Sequence, residues 1–422
     1  VSYDSSHVVD REDSKTNFEG NRVTIHTRPP VAVVYHFFPH YRKAIVEQLA
    51  RSLRADFTFI GDDHEYLNSI QPAVFSSKVK FHLAPTHLIG KPFMWQWGAV
   101  RAAMSREFET IIFHAVPHWP CTWIGGIVAR VLGKRVFFWG HGYLSRPRGL
   151  KGLFRRAFYA IPHQHMVYSR LAKMYFMETG WSPERVHVIY NSMDTLVQQT
   201  QRDMLTREKA LALRAELFHD ASKPVIICTS RLIPMRRLDM LLDAIASLRV
   251  TPCDANLILV GDGPEKNALV KRAQELGLHV HFEGACYDEQ RLAALISSAS
   301  VTVSPGKTGL TVVHSLVYGV PVVTHGDADD QGPEWEAMIP GRTGSYFENN
   351  NVASLVSAIM PWLQQPFPTD DTRRACHELI DRFWNPTYQR RAIERAVCGA
   401  EADDLFDVRE SESESESESE SA

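Results

Sequence analysis

From Val225 onward the chain repeats one hydrophobic pattern. A short apolar run ends in a glycine or a basic residue, and a stretch of helical periodicity follows. The runs are Val225 to Ser230, ending at Arg231; Asn256 to Val260, ending in Gly261-Asp-Gly263-Pro264; Val280 to Glu283, ending at Gly284; and Val301 to Val303, ending in the turn Pro305-Gly306. Helical patterns fill the gaps at Leu238 to Leu248, Pro264 to Leu276 and Asp288 to Ser298, with Pro264 placed as a first helical residue, where its missing N–H costs nothing. Gly309 then opens an apolar helix that stops at Gly319, and Pro321 begins the next strand. Strands and helices alternating at these lengths predict an α/β fold with a parallel sheet covered on both faces. Ligands on such sheets sit at the carboxyl ends of the strands, where Arg231, Gly261, Gly263, Gly284 and Gly306 all fall.

The N-terminal half reads the same way. Val31 to Tyr35 is a strand, followed by His36-Phe-Phe-Pro39-His40-Tyr41-Arg42 and a helical pattern to Leu53. Further strands are predicted at Phe57–Ile60, Thr110–His114, Arg135–Trp139, Met166–Ser169 and His187–Tyr190. The polar stretch from Asn191 to Pro224 contains a helical segment and reads as the link between two domains. After Phe347, helices are predicted at Val352–Leu363 and Thr372–Phe383, and Trp384-Asn-Pro386 breaks the pattern before a last helix, Thr387–Val397. The resulting division is a polar arm over 1–30, a first domain over 31–195, a link over 196–224, a second domain over 225–383 and an acidic Ser-Glu tail over 401–422.

Charge changes this picture in one place. The formal net charge of −3 hides the tail, where ten acids face one base, Arg409; residues 31–400 carry a net +7. The Ser-Glu repeat is self-repelling and too polar to build a core, so disorder is expected there. From Thr110 to Met177 there is no Asp or Glu, while ten Lys and Arg fall in the same span. Five of them lie between Ser145 and Tyr159: Arg146, Arg148, Lys151, Arg155 and Arg156. Leu150, Leu153, Phe154, Ala157 and Phe158 can share one helix face beside them. A basic amphipathic segment of this kind suits an anionic membrane surface or the diphosphate of a lipid. No DNA- or RNA-binding motif accompanies the charge, so nucleic acid is not expected. No apolar run approaches the ~18 residues of a membrane span, residues 1–30 lack the apolar core of a signal peptide, and none of the six cysteines forms a CxxC pair. The expected setting is cytoplasmic, peripheral on the inner face of the membrane, with reduced thiols.

Two stretches carry the candidate chemistry. Ser230-Arg231-Leu-Ile-Pro-Met-Arg236-Arg237 places guanidinium groups at a strand end, suited to forked hydrogen bonds with phosphate. Gly306-Lys307-Thr308-Gly309-Leu310-Thr311 is a glycine turn whose backbone N–H groups can face an anion. Together they point to a diphosphate ligand.

These two stretches and their order resemble the retaining family-4 glycosyltransferases, over roughly residues 31–400 and most specifically over Val225 to Phe347. The resemblance implies a GT-B fold, two Rossmann-like domains facing across a cleft, with the nucleotide-sugar held by the second domain and the terminal helix crossing back to the first. It implies a sugar transfer from a nucleotide-diphosphate sugar to a hydroxyl of a glycan, lipid-linked, acceptor, with retention and without a metal or other cofactor. Arg231 and Arg236 would bind the diphosphate, Arg236 standing where the family usually has Lys. Gly261, Gly263, Gly284, Tyr287 and the loop Gly306, Lys307, Thr308, Gly309, Leu310 and Thr311 would line the donor site, with Glu334 of the Pro333-Glu334 pair positioning the loop. His141, at the end of Phe137-Phe-Trp139-Gly140, matches a family histidine near the donor sugar. The family's two loop glutamates align with Gly306 and His314; glycine cannot contact the sugar, and His314 could still hydrogen-bond a ribose. On the acceptor side stand His36, His40, Arg42, Trp95, Arg146 and Arg148, Trp95 and its neighbour Trp97 suiting either a sugar ring or core packing. The pairs His36/His40, His114/His118 and His163/His165 lack a carboxylate or cysteine to complete a metal set. The missing glutamates leave open a second reading, a GT-B protein that binds a nucleotide-sugar or glycan without turning it over.

Overall fold

The computed structural model describes residues 28–64, 71–90, 92–249, 251 and 253–399; the Ser-Glu tail and most of the N-terminal arm lie outside them. Fifteen strands are present among these residues. The first nine are β1 (Pro30–Phe37), β2 (Asp56–Asp62), β3 (Lys80–Leu83), β4 (Thr86–Gly90), β5 (Phe93–Gln96), β6 (Thr110–His114), β7 (Arg135–Gly140), β8 (Gln164–Val167) and β9 (Val186–Val188). The last six are β10 (Val225–Thr229), β11 (Asn256–Val260), β12 (Val280–Gly284), β13 (Val301–Ser304), β14 (Val322–His325) and β15 (Gly344–Phe347).

They form two parallel sheets, ordered β3-β2-β1-β6-β7-β8-β9 and β12-β11-β10-β13-β14-β15, plus the hairpin β4-β5. In each sheet the order reverses beside the first strand, so a crevice opens between the carboxyl ends of β1 and β6 and between those of β10 and β13. Both faces of each sheet are buried. Val31, Val33, Phe57, Phe59 and Ile112 face one apolar cluster, while Ala32, Val34, Ile60, Ile111 and Phe113 face another. In the second sheet Ile226, Leu257 and Val301 lie on one side and Val225, Ile227 and Ile258 on the other. Burial on both sides is why these strands are continuously apolar rather than alternating.

The stretch 196–224 is more than a link. It holds two helices, Thr195–Met204 and Arg207–Leu217. The second is fixed to the C-terminal domain by Arg214, which is fully buried and donates to the carbonyls of Ser298 (2.7 Å), Lys223 (3.3 Å) and Pro366 (2.5 Å). The last helix, Pro386–Val397, starts on Asn385, whose side chain accepts the Tyr388 N–H, with proline at its first position. It leaves the C-terminal domain and packs Ile393, Ala396 and Val397 into the core of the N-terminal sheet. There the Arg135 guanidinium takes the carbonyls of Val397 (2.5 Å) and Ala396 (3.1 Å). At the crossing, Ser192 Oγ donates to Gln389 Oε1 (2.7 Å), and Gln389 Nε2 donates to the Tyr190 carbonyl (2.6 Å).

Two histidines of the N-terminal core set a pH limit on this fold. His165 is buried against Phe176, its rings 4.2 Å apart, and burial lowers it to about 3. His187, buried and bonded to Gln164 at 2.8 Å, is lowered to about 4, first by burial and then by Lys173 and Arg135. Between these values and the ordinary 6.5 the unfolded chain binds protons that the native chain refuses. Stability therefore rises with pH through this window and is lost as pH falls. The melting temperature should drop progressively from pH 6.5 towards pH 4, and His187→Gln should flatten that slope in a pH series of thermal melts.

Candidate active site in the interdomain cleft

The C-terminal wall of the cleft is built from three loops that touch backbone to backbone. Gly261 adopts φ +140, and a Cβ there would lie 1.8 Å from the Ser230 carbonyl oxygen; one at Gly263 would lie 2.3 Å from that of Leu232. Only glycine lets the loop after β11 lie so close to the loop after β10. Leu232 N–H donates to Asp262 O (2.9 Å), and Gly261 N–H to Gly284 O (2.7 Å), which ties in the loop after β12. Tyr287, beyond Gly284, is 73% exposed.

The loop after β13 docks in the same way. Gly306 N–H donates to Arg236 O (3.2 Å), and a Cβ on Gly306 would lie 2.1 Å from Met235 O and 2.9 Å from Arg236 C and Cα. The space a glutamate would need at this position is thus filled by the turn Pro234–Arg236. Thr308 N–H donates to Gln331 Oε1 (2.8 Å), and Gln331 is held in turn by Thr324 Oγ1 and His325 O. Thr311 Oγ1 donates to Thr229 O (2.8 Å). Two of the loop's N–H groups are therefore spent on protein. Among the described residues no acceptor takes those of Lys307, Gly309 and Leu310, and Gly309 faces open space.

Arg231 is exposed and forms no ion pair among the described residues. Arg236 is half-buried, donates Nη1 to Lys307 O, and leaves Nε buried without a partner. Burial first, and then Arg231 beside it, lower its pKa. Two neighbouring guanidinium groups with no ion-pair partner among the described residues could hold an anion. His314 stands further along the helix Thr311–Val317, where its Nε2 meets Glu289 Oε1 at 2.8 Å; the same oxygen accepts from Tyr318 OH at 2.5 Å. A carboxylate from the start of helix Glu289–Ser297 thus sits against His314.

The N-terminal wall brings His141, Arg42 and Tyr168 opposite Lys307. His141 follows β7, packs edge-on to Tyr168 at 5.1 Å, and keeps its outer edge open to the cleft. Its surroundings, with Arg42 and Lys307 nearby, lower it to about 4, desolvation being the largest cause, so the imidazole is neutral at ordinary pH. Arg42 is buried; Nη1 donates to Asn191 Oδ1 (2.8 Å) and Nη2 to Tyr168 OH (2.5 Å). Asn191 Nδ2 donates to Glu334 Oε1 (2.6 Å). Glu334 is buried, and burial raises its carboxyl above the usual range against the pull of Asn191, Arg42 and Lys307. A polar chain from Arg42 through Asn191 to Glu334 thus runs from one domain to the other. A second tie lies beside it. The Glu336 carboxylate accepts the N–H groups of Arg170 and Leu171, both at 2.8 Å, and Asp329 accepts from Tyr175 OH at 2.5 Å. Carboxylates suit helix N-termini, and this one comes from the opposite domain.

The remaining candidates are more scattered. His40 turns to the Gln71 carbonyl (3.3 Å). Trp95 is half-buried on the hairpin β4-β5, 5.0 Å from Trp97, and packs against the N-terminal core. Arg146 pairs with Glu178 (3.0 Å) over the Tyr175 ring, and Arg148 precedes the helix Gly149–Tyr159. On that helix Phe158 is core, whereas Leu150, Leu153 and Phe154 are 85%, 64% and 49% exposed. The neighbouring helix Pro120–Val131 adds exposed Ile124, Ile127 and Val131, and Trp123 joins the two at 5.1 Å from Phe154. Among the described residues the group able to hold a metal ion is Asp62, Asp63 and His64 at the end of β2, mostly exposed and outside the histidine pairs. Asn191, Tyr168, Gln331 and Glu289 had no motif to announce them; each acts through a contact distant in sequence.

Residues 210–380 match the family described as Glycosyl transferases group 1. The chain is 30% identical over 187 residues to the GDP-mannose-dependent alpha-(1-6)-phosphatidylinositol monomannoside mannosyltransferase of Mycolicibacterium smegmatis, covering 42% of this chain and 46% of that one. It is 28% identical over 190 residues to a GDP-mannose-dependent monoacylated alpha-(1-6)-phosphatidylinositol monomannoside mannosyltransferase of Corynebacterium glutamicum, covering 43% and 48%. The matched stretch therefore spans about half the length of these relatives. Among solved structures, Anabaena Alr3699/HepE in complex with UDP superposes with a TM-score of 0.65 at 16% identity, covering 88% of this chain and 99% of that one. That likeness establishes the GT-B fold.

Proposed function

We propose that this chain, whose residues 210–380 match the family of glycosyl transferases group 1, moves a sugar from a nucleotide-diphosphate sugar to a hydroxyl of a glycan acceptor carried on a lipid, with retention. The observation that carries the reading is the pair Arg231 and Arg236, free of carboxylates and set beside the open N–H groups of Lys307, Gly309 and Leu310. Such donors stabilise the charge that builds on a departing diphosphate, where a water-excluded site makes them strongest. Front-face displacement needs no protein nucleophile. His141, neutral and opposite Lys307, orients the sugar, and the His314–Glu289 pair faces the ribose. No step in this scheme calls for a metal. The relatives named as mannosyltransferases of phosphatidylinositol mannosides favour a lipid-linked acceptor and make GDP-mannose the first donor to try.

A thermal-shift screen over UDP- and GDP-sugars, followed by donor hydrolysis without acceptor, tests the reading. Slow release of sugar supports an enzyme. Tight binding with no turnover would instead make the chain a binding module.

The peripheral placement rests on the helix Gly149–Tyr159. Its apolar side chains Leu150, Leu153 and Phe154 point outward beside Lys151 and Arg156, and among the described residues no helix is long and apolar enough to cross a membrane. Each basic residue near an anionic surface contributes about 1 kcal/mol. Neutralising Arg146, Arg148, Lys151, Arg155 and Arg156 should release the protein from anionic vesicles in a flotation assay, and salt should do the same to the wild type. Wild-type protein that ignores such vesicles at low salt would end this placement.

A further inference from the structure

Glu334 is a buried carboxylate that its neighbours do not satisfy. It is 3% exposed, near the start of the short helix Pro333–Ala337, where proline is the first helical residue. Its Oε1 accepts from Asn191 Nδ2 (2.6 Å). That amide cannot turn round, because its Oδ1 takes Arg42 Nη1 (2.8 Å) and the Ser192 N–H (3.1 Å). Apart from the N–H of Glu334 itself, nothing among the described residues donates to Oε2, and Glu334 forms no ion pair there. A carboxylate offers about four lone-pair positions. A buried one with a single side-chain donor, itself neutral, lacks partners that the fold normally supplies.

The place of Oε2 shows what is missing. A Cβ on Gly332 would lie 2.4 Å from the Thr308 carbonyl oxygen and 3.1 Å from Glu334 Oε2. The unpaired oxygen therefore lies against the glycine loop. Lys307 of that loop acts both on Glu334 and on His141 across the cleft. The loop brings no carboxylate of its own, since the room for one at Gly306 is taken by the turn Pro234–Arg236. The cations near Glu334 are Arg42 and Lys307. Both Arg42 Nη atoms are bonded elsewhere, to Asn191 and Tyr168. A phosphate drawn to these cations would set its own acceptor oxygens against an acceptor. A hydroxyl suits the position, because it donates to a carboxylate and accepts from a protonated carboxyl. With the diphosphate on Arg231, Arg236 and the loop N–H groups, the hydroxyl that reaches Glu334 belongs to the sugar.

We propose that Glu334 Oε2 holds a hydroxyl of the donor sugar, so that the carboxylate the loop lacks at Gly306 enters the cleft from the segment beyond β14. The proposal rests on the glycosyltransferase reading. It makes Glu334 a specificity-determining residue rather than a support for the loop alone, with Asn191 and Arg42 as the residues that position it.

The test uses full-length protein with GDP, GDP-mannose and monodeoxy GDP-mannoses; UDP, UDP-glucose and its monodeoxy series replace them if the donor screen selects UDP. Glu334→Gln keeps an oxygen for Asn191, so its thermal melt should match the wild type. It should bind GDP as the wild type does and turn over GDP-mannose about tenfold to a hundredfold more slowly, the loss of one hydrogen bond to a charged group. Glu334→Asp, which keeps the charge and withdraws it by one methylene, should show the same split between GDP and GDP-mannose. The wild type should lose as much with one deoxy sugar, and with that sugar Glu334→Gln should bring no further loss. GDP affinity that falls in step with turnover in both variants would overturn the proposal and leave Glu334 as a support of the loop. Losses that add at every deoxy position would also overturn it. A wild-type protein that neither binds nor hydrolyses any nucleotide-sugar would break the glycosyltransferase reading instead.

Discussion

Arg231→Ala should lower turnover with the nucleotide-sugar by about tenfold to a hundredfold and leave the melting temperature unchanged. The guanidinium is exposed and has no ion-pair partner among the described residues, so its removal deletes no internal contact, and surface changes of this kind move stability by only about 0.5 kcal/mol. What it deletes is a charge-assisted hydrogen bond to phosphate, about 1.5–3 kcal/mol, which is the expected range in rate. Arg236→Ala should behave differently. Its Nη1 holds the Lys307 carbonyl, so activity and thermal stability should fall together. Unchanged kinetics in Arg231→Ala would remove the diphosphate from this loop.

Gly306→Glu should destroy activity rather than improve it. Written as a sequence, the change restores a family glutamate. In the fold, the new Cβ meets Met235 O at 2.1 Å and the Arg236 backbone at 2.9 Å. Relief requires the turn Pro234–Arg236 to move away from the glycine loop, and overpacking of that kind costs about 1–3 kcal/mol. Arg236 would be carried off with it. Expression, a thermal melt and donor hydrolysis together decide the matter: a stable, more active Gly306→Glu protein would contradict the packing described here. His314→Glu makes an instructive partner, because it places a second carboxylate against Glu289, which now takes hydrogen bonds from His314 and Tyr318.

The sheet elements were legible because both faces of each sheet are covered. Val225, Ile226 and Ile227 are all fully buried, and so are Val31, Ala32 and Val33; unbroken apolar runs are what such strands require. The glycine turns were legible for a related reason, since Gly261 and Gly263 are demanded by backbone contact. What stayed hidden depends on distance in sequence. The short strands β3 to β5 are largely exposed and carry little hydrophobic signal. The helices Thr195–Met204 and Arg207–Leu217 looked like a link because their polar faces are wide, yet the second is fastened by Arg214, whose three carbonyl partners belong to other segments. Phe158 and Leu153 share a periodicity and differ only in which side the core lies on. In the same way His114 read as half of an incomplete metal pair; only the β1–β6 adjacency brings it to His36.

The crossing helix Pro386–Val397 fixes an order of events during synthesis. Val31 and Val397 lie in one apolar cluster, although both domains of this sequence are made between them. On the ribosome, the N-terminal sheet can collapse early but stays uncovered over the patch that Ile393, Ala396 and Val397 later close. The C-terminal domain, with Arg214 and its own two faces complete, can finish first. The domain that emerges first is therefore the last to be covered, and in the interval its apolar patch stays exposed. Released chains truncated shortly before Pro386 should be more sensitive to protease in the N-terminal domain than in the C-terminal one.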